Sequence, residues 1–167
     1  LRLIGRGSIA DVYLGEHLHL GTQAAIKVLR THLSGEASEQ LRTEARTMAR
    51  LVHPHILRVI DFDVEDGIPF LIMEYAPNGT LRQRHTKGTL VPPGTIVSYV
   101  RQVAQALQYL HQQKLIHRDV KPENLLLGSN DEILLTEFSS AIIVQSTRSQ
   151  PTREAAGTVT YMAPEQI

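Results

Sequence analysis

The chain has 167 residues, enough for about one domain, with 42% hydrophobic and 20% charged residues, a composition that sustains a packed core and excludes a disordered chain. Lysine plus arginine equals aspartate plus glutamate at 17 each, so a nucleic-acid or anionic-membrane surface, which carries a basic excess, is excluded as the main partner. The lack of cysteine excludes disulfides and thiolate metal sites and suits a reducing, cytoplasmic compartment, and no apolar run approaches the roughly 18 residues that cross a bilayer.

From the N-terminus, Leu1 to Ile4 and Ala10 to Gly15 read as short strands joined by the glycine turn Gly5-Arg6-Gly7. Ala24 to Leu29 predicts a third strand, with Ala25, Lys27 and Leu29 on one face by the period of two. Leu41, Ala45, Met48 and Val52 recur at helical spacing, which predicts a helix over 38–52 ended by His53-Pro54, since a residue before proline is pushed out of helical geometry. The runs Ile56 to Phe62 and Pro69 to Tyr75 flank the turn Glu65-Asp66-Gly67 and read as a hairpin. Ala76-Pro77-Asn78-Gly79 reads as a linker, dividing the chain into a lobe over 1–75 and a second over 76–167. An amphipathic helix is expected from Pro93 to Gln113, with Ile96, Val100, Val103, Leu107 and Leu110 as its apolar stripe. Strands first and helices later give an α+β class in two lobes.

Gly5-Arg6-Gly7-Ser8-Ile9-Ala10 lies between two strands, not between a strand and a helix. That context excludes a dinucleotide-binding turn and leaves a hairpin tip whose backbone N–H groups can cover a phosphate. Alone it reads as an ordinary β-turn, the more so because Ala10 stands at the third glycine position. Lys27 in an apolar strand and Glu44 on the apolar face of the first helix add to it. Lone buried charges are costly, so the two are expected to pair across strand and helix and to set a cation beside phosphates.

The strongest signal is the run from Ile116 to Leu127, in which polar residues of distinct chemistry lie between apolar ones. Asp119 can accept a proton or orient a hydroxyl, Lys121 can neutralise a transferring phosphoryl group, and Asn124 offers a neutral oxygen to Mg²⁺. Leu125 to Leu127 and Ile133 to Thr136 form a hairpin around Gly128-Ser129-Asn130-Asp131, which brings Asn124 and Glu137 to the same end. The pairs His17/His19 and His53/His55 have no third metal ligand tied to them and read as surface or core histidines.

In this order the motifs resemble the eukaryotic-like (Hanks-type) protein kinases, and His117-Arg118-Asp119-Val120-Lys121-Pro122-Glu123-Asn124 resembles their serine/threonine branch. Ala24 to Lys27 is similar to the family's strand-lysine motif, Met73 to Ala76 to its gatekeeper and hinge, and Ala163-Pro164-Glu165 to the close of its activation segment. The resemblance implies a two-lobed protein kinase-like fold: a small β-rich N-lobe with one helix and an incomplete helical C-lobe, truncated after Ala163-Pro164-Glu165. It implies transfer of the γ-phosphoryl group of ATP, with Mg²⁺, to serine or threonine of a protein substrate. Catalytic roles would fall to Lys27, Glu44, Asp119 and Lys121, and metal binding to Asn124 and Glu137. ATP would meet Ile4, Gly5, Gly7, Val12, Ala25, Lys27, Met73, Glu74, Ala76 and Leu126. His117 and Phe138 would pack in the family's spine with Met48 and Val59, and Thr158 would bond near Asp119 and Lys121. Arg118 implies control by phosphorylation of the activation segment, at Thr147, Ser149 or Thr152. No nucleic acid and no membrane segment within the chain are expected, while a parent protein tethered by a helix elsewhere suits such signalling kinases. In the family the long helix rests on a further helix after the activation segment, so part of its apolar surface is expected to face water in this chain.

The pattern breaks where the family has Asp-Phe-Gly and this chain has Glu137-Phe138-Ser139. Glutamate keeps the charge but adds a methylene, and Mg²⁺ demands near-octahedral geometry at about 2.0–2.1 Å. Ser139 lacks the backbone freedom of glycine. An alternative reading is therefore a pseudokinase, a nucleotide-binding or scaffold domain.

Overall fold

The computed structural model describes residues 1–7, 10–30, 36–137, 142–143 and 161, and of residues 36–41, 44, 142 and 143 the backbone alone. The expectations for the side chain of Glu44, for Phe138, Ser139, Thr147, Ser149, Thr152 and Thr158, and for Ala163-Pro164-Glu165 lie outside the described residues. The chain forms two units, Leu1–Val52 with Leu57–Ala76, and His53–Ile56 with Pro77–Ile167.

In the first unit, β1 (Arg2–Arg6), β2 (Ala10–Glu16), β3 (Gln23–Leu29), β4 (Val59–Glu65) and β5 (Ile68–Glu74) form one antiparallel sheet in the order β1-β2-β3-β5-β4. The β1–β2 tip is tied by the Gly7 amide, which donates to the Ala10 carbonyl at 2.8 Å. A Cβ on Gly7 would stand 3.1 Å from that same oxygen, which is why glycine serves there. Helix α1 (Glu36–Ala49) lies against β4, and Ala10, Ala25, Ala45, Leu51, Leu57 and Val59 form the buried core of the unit. Two bonds of reduced span, Arg50 to Thr47 and Leu51 to Met48, close the end of α1. Val52, expected on the apolar stripe, falls beyond that end and is 66% exposed.

The strand expected from Ile56 begins instead at Val59. The reason is a competing partner in the second unit: Ile56 bridges Leu135, and the Leu135 amide donates to the His55 carbonyl at 2.9 Å. His53 stacks on Tyr109 with ring centroids 5.1 Å apart, and His55 Nδ1 lies 3.1 Å from the Ile133 carbonyl oxygen. These two histidines are fixed by packing within the second unit, while His17 accepts from the amides of His19 and Leu20 and closes the turn after β2.

The second unit continues with α2 (Leu81–Arg84), α3 (Pro93–Gln112), β6 (Leu115–Ile116), a 3₁₀ turn (Pro122–Asn124), β7 (Leu125–Leu127), β8 (Ile133–Leu135) and β9 (Ile142–Ile143). β6 pairs with β9 and β7 with β8, both antiparallel. α2 carries no periodic signal because four residues barely complete one turn. Its readable mark is a capping box, in which Gln83 N donates to Thr80 Oγ1 at 3.1 Å and Thr80 N to Gln83 Oε1 at 2.8 Å. On α3 the expected stripe is fully buried only toward its C-terminal end, where Leu110 and Ala106 join Leu127, Ile133 and Leu135 in the core. Ile96, Val97 and Val100 are exposed, and Ile96 and Val100 line an apolar groove of about 600 Å³ with Leu81 and Val91.

Candidate active site

The β7–β8 register (Leu125 with Leu135, Leu126 with Leu134, Leu127 with Ile133) sets Asn124 opposite Thr136. The Thr136 amide donates to the Asn124 carbonyl at 3.0 Å, and Glu137 follows directly. One consequence is local order on both sides of the hairpin base. His117, 1% exposed, lies with Nε2 2.8 Å from the Thr136 carbonyl oxygen and accepts from the Asp119 amide through Nδ1 at 3.3 Å. An Nδ1 that accepts leaves the proton on Nε2, so the imidazole donates to Thr136 and is neutral. Burial pushes its pKa down from the ordinary value, against the opposing pull of the Thr136 carbonyl and the Asp119 and Glu137 carboxylates.

Asp119 is the centre of a polar cluster. Its Oδ2 is 2.8 Å from Lys121 Nζ and accepts from Asn124 Nδ2, also at 2.8 Å. Asn124 Nδ2 donates at the same distance to the Asp119 main-chain carbonyl, so both amide hydrogens of this buried side chain serve one residue. The amide oxygen of Asn124 is then its remaining donor atom toward a cation. Arg118 and Glu137 flank the cluster with φ of 70° and 67°, the left-handed region that costs non-glycine residues energy and recurs at functional sites. Among the described residues no group of three or more His, Asp or Glu is gathered as a metal cage. Asn124, with the nearby carboxylates, supplies hard oxygen of the kind Mg²⁺ uses when it keeps waters and phosphate oxygens as its other ligands.

In the first unit, opposed residues of antiparallel strands share a face. The pairs Gly5 with Val12, Val12 with Lys27, and Ala25 with Met73 therefore place Gly5, Val12, Ala25, Lys27 and Met73 on one face of the sheet. Lys27 is 9% exposed there, and Ala25 is buried. Ile4 falls in the irregularity between Leu3 and Gly5, Glu74 projects from the opposite face to Met73, and Ala76 follows the end of β5. Gly7 closes the β1–β2 tip, and Leu126 sits in β7 of the second unit, bridged to Thr80.

Sequence reading missed a group beside the cluster. Arg82 Nε donates to Glu123 Oε1 at 2.8 Å, and Arg82 Nη2 donates to the hydroxyl of Tyr161. That bond to Arg82 holds the Glu123 carboxyl below its usual range. The partners are 41 and 79 residues apart in the chain, so no local pattern announces them.

Comparison with known proteins gives a family. The family model described as "Protein kinase domain" matches residues 1–167. The chain is 35% identical over 168 residues to serine/threonine-protein kinase PrkC of Bacillus subtilis, covering 99% of this chain and 26% of that protein. It is 38% identical over 168 residues to Aurora kinase B of Danio rerio and 39% identical over 171 residues to Aurora kinase C of Mus musculus, again covering 99% of this chain, and 52% and 60% of those proteins. The chain thus spans about a quarter to three fifths of the length of these curated relatives. With a family model matched along its whole length, the chain belongs to the protein kinase domain family.

Proposed function

We propose that the protein containing this chain transfers the γ-phosphoryl group of ATP to serine or threonine hydroxyls of a protein substrate. The observation that carries this reading is the cluster in which Lys121 and Asn124 both bind Oδ2 of Asp119. A carboxylate so held orients an incoming hydroxyl and takes its proton as the oxygen attacks the γ-phosphorus. The new O–P bond forms while the bond from the γ-phosphorus to the β,γ-bridging oxygen breaks and ADP leaves. Lys121, beside Asp119, offsets negative charge on the transferring group. Asn124 and Glu137 would hold Mg²⁺, which when bound neutralises charge on the nucleotide phosphates. Lys27, with Gly5, Val12, Ala25 and Met73 on its sheet face, would serve the nucleotide. The name of PrkC supports the choice of serine and threonine. Such a domain works where ATP is abundant, on the cytoplasmic side; among the described residues no helix is long and apolar enough to cross a membrane.

A second reading, a nucleotide-binding or scaffold domain without transfer, is favoured by Glu137, a longer carboxylate than the family's and one held at φ 67°. The test is transfer of radiolabelled phosphate by the full-length protein as wild type, Asp119→Asn, Glu137→Asp and Glu137→Ala. The kinase reading expects transfer by wild type, transfer preserved or raised in Glu137→Asp, and loss in Asp119→Asn and Glu137→Ala with nucleotide still bound. Equal turnover in wild type and Glu137→Ala removes Glu137 from the metal site, and no turnover in wild type leaves the scaffold reading.

A further inference from the structure

Arg82 stands on a four-residue helix outside every residue assigned to chemistry, yet its guanidinium joins two segments of the second unit. Nε and Nη2 reach Glu123 and Tyr161 respectively. Glu123 is the middle residue of the 3₁₀ turn Pro122–Asn124, so it lies between Lys121 and Asn124, the two side chains that hold Asp119. The helix that carries Arg82 is itself fixed: the Thr80–Gln83 capping box sets its start, and Arg84 Nη2 binds Asp131 Oδ1 at 2.6 Å. Asn78 Nδ2 donates to the same Asp131 oxygen at 3.1 Å. The planar fork of arginine suits two oxygen acceptors at once, which the point charge of lysine does not.

All three members of the group are partly open to solvent, with Glu123 at 43% and Arg82 at 34% side-chain exposure. Glu123 stands two residues beyond Lys121, whose ammonium is 2.8 Å from Asp119, so a polypeptide that delivers a hydroxyl to Asp119 would pass a carboxylate whose charge is already answered by Arg82. We infer that Arg82 is a specificity-determining residue: by pairing with Glu123 it cancels an acidic subsite beside Asp119, so the protein selects substrates without a requirement for basic residues next to the acceptor. This rests on the protein-kinase reading above.

The experiment uses the full-length protein and two acceptor peptides that differ only in a lysine or a glutamine flanking the acceptor. Wild type should give KM values for the two peptides within about twofold of each other, since exposed charge pairs contribute little. Arg82→Ala exposes Glu123 and should shift the KM ratio about three- to fivefold toward the lysine peptide, at similar kcat, the upper part of the range expected for one partly exposed ion pair. Adding Glu123→Gln to Arg82→Ala should return the ratio to the wild-type value, which loss of a merely structural contact would not do. If Arg82→Ala fails to fold, Glu123→Gln alone leaves Arg82 unanswered and should move preference away from the lysine peptide. Transfer by wild type with a ratio that neither variant moves overturns this inference alone. No transfer by wild type overturns the kinase reading and this inference with it.

Discussion

Replacing Asn124 by aspartate exchanges two N–H donors for oxygen acceptors at the point where they meet Asp119. Asn124 is 5% exposed, and its Nδ2 donates to the carbonyl and the Oδ2 of Asp119, both at 2.8 Å. A bond to a backbone carbonyl contributes about 0.5–1.5 kcal/mol and one to a carboxylate about 1.5–3, so the loss sums to roughly 2–4.5 kcal/mol. A second carboxylate at this distance also repels the first, which makes protonation of one of the two easier as pH falls. Lys121, 2.8 Å from the same oxygen, offsets part of that repulsion. At about 2–4 °C per kcal/mol for a domain of this size class, Asn124→Asp should lower Tm by roughly 4–18 °C at pH 7. Relative to wild type at the same pH, it should recover part of the loss near pH 5, because a protonated carboxyl again offers an O–H donor. Asn124→Ala loses the bonds without the repulsion and should show no such recovery. Thermal melts of the three full-length proteins at both pH values decide the matter. An Asn124→Asp melt within about 1 °C of wild type at pH 7, or no relative recovery on acidification, refutes the reasoning.

The buried, neutral His117 makes stability depend on pH. Its folded pKa lies below the ordinary 6.5, so below that value the unfolded chain binds more protons and stability falls as pH drops from 6.5 toward the folded pKa. The slope cannot exceed about 1.4 kcal/mol per pH unit for one proton. His53, lowered by burial and by the charge of His55, adds in the same direction. Denaturant midpoints of wild type and His117→Gln across that window test this, the variant being expected to show the shallower slope. Leu110 is fully buried, so Leu110→Ala should cost about 2–5 kcal/mol through lost burial and the cavity left behind. A lowered urea midpoint at unchanged slope would register it, and a midpoint equal to wild type would show that α3 does not anchor this core.

Much of the fold is legible in the sequence because its determinants are short-range. The periods of two and of 3.6 marked β3, β5, α1 and α3, and proline and glycine marked their ends. The pairing of Leu125–Leu127 with Ile133–Leu135 follows from a tight turn between two apolar runs, and with it the approach of Asn124 to Thr136 and Glu137. The candidate cluster was legible for the same reason: Asp119, Lys121 and Asn124 are separated by no more than five residues, and one loop brings them together.

What tertiary structure decided lies at long separation. Nothing local to Ile56 tells that its backbone leaves β4 for Leu135 in the second unit, since its apolar run continues unbroken into the strand. His53 and His55 read as surface or core histidines, and which of the two is settled only when Tyr109 and Ile133, each more than fifty residues along the chain, are seen to pack against them. The stripe on α3 is uniform in sequence but fully buried only at its Leu110 end, because burial depends on whether another element arrives and periodicity records only which face would receive it. Arg82 is an unremarkable cation on a four-residue helix until Glu123 and Tyr161 reach it from 41 and 79 residues away. Local chemistry thus chose the side chains able to hold a proton and a phosphate, while the packing of distant segments chose which charges beside them are answered, because an ion pair depends on distance in space and not on distance along the chain.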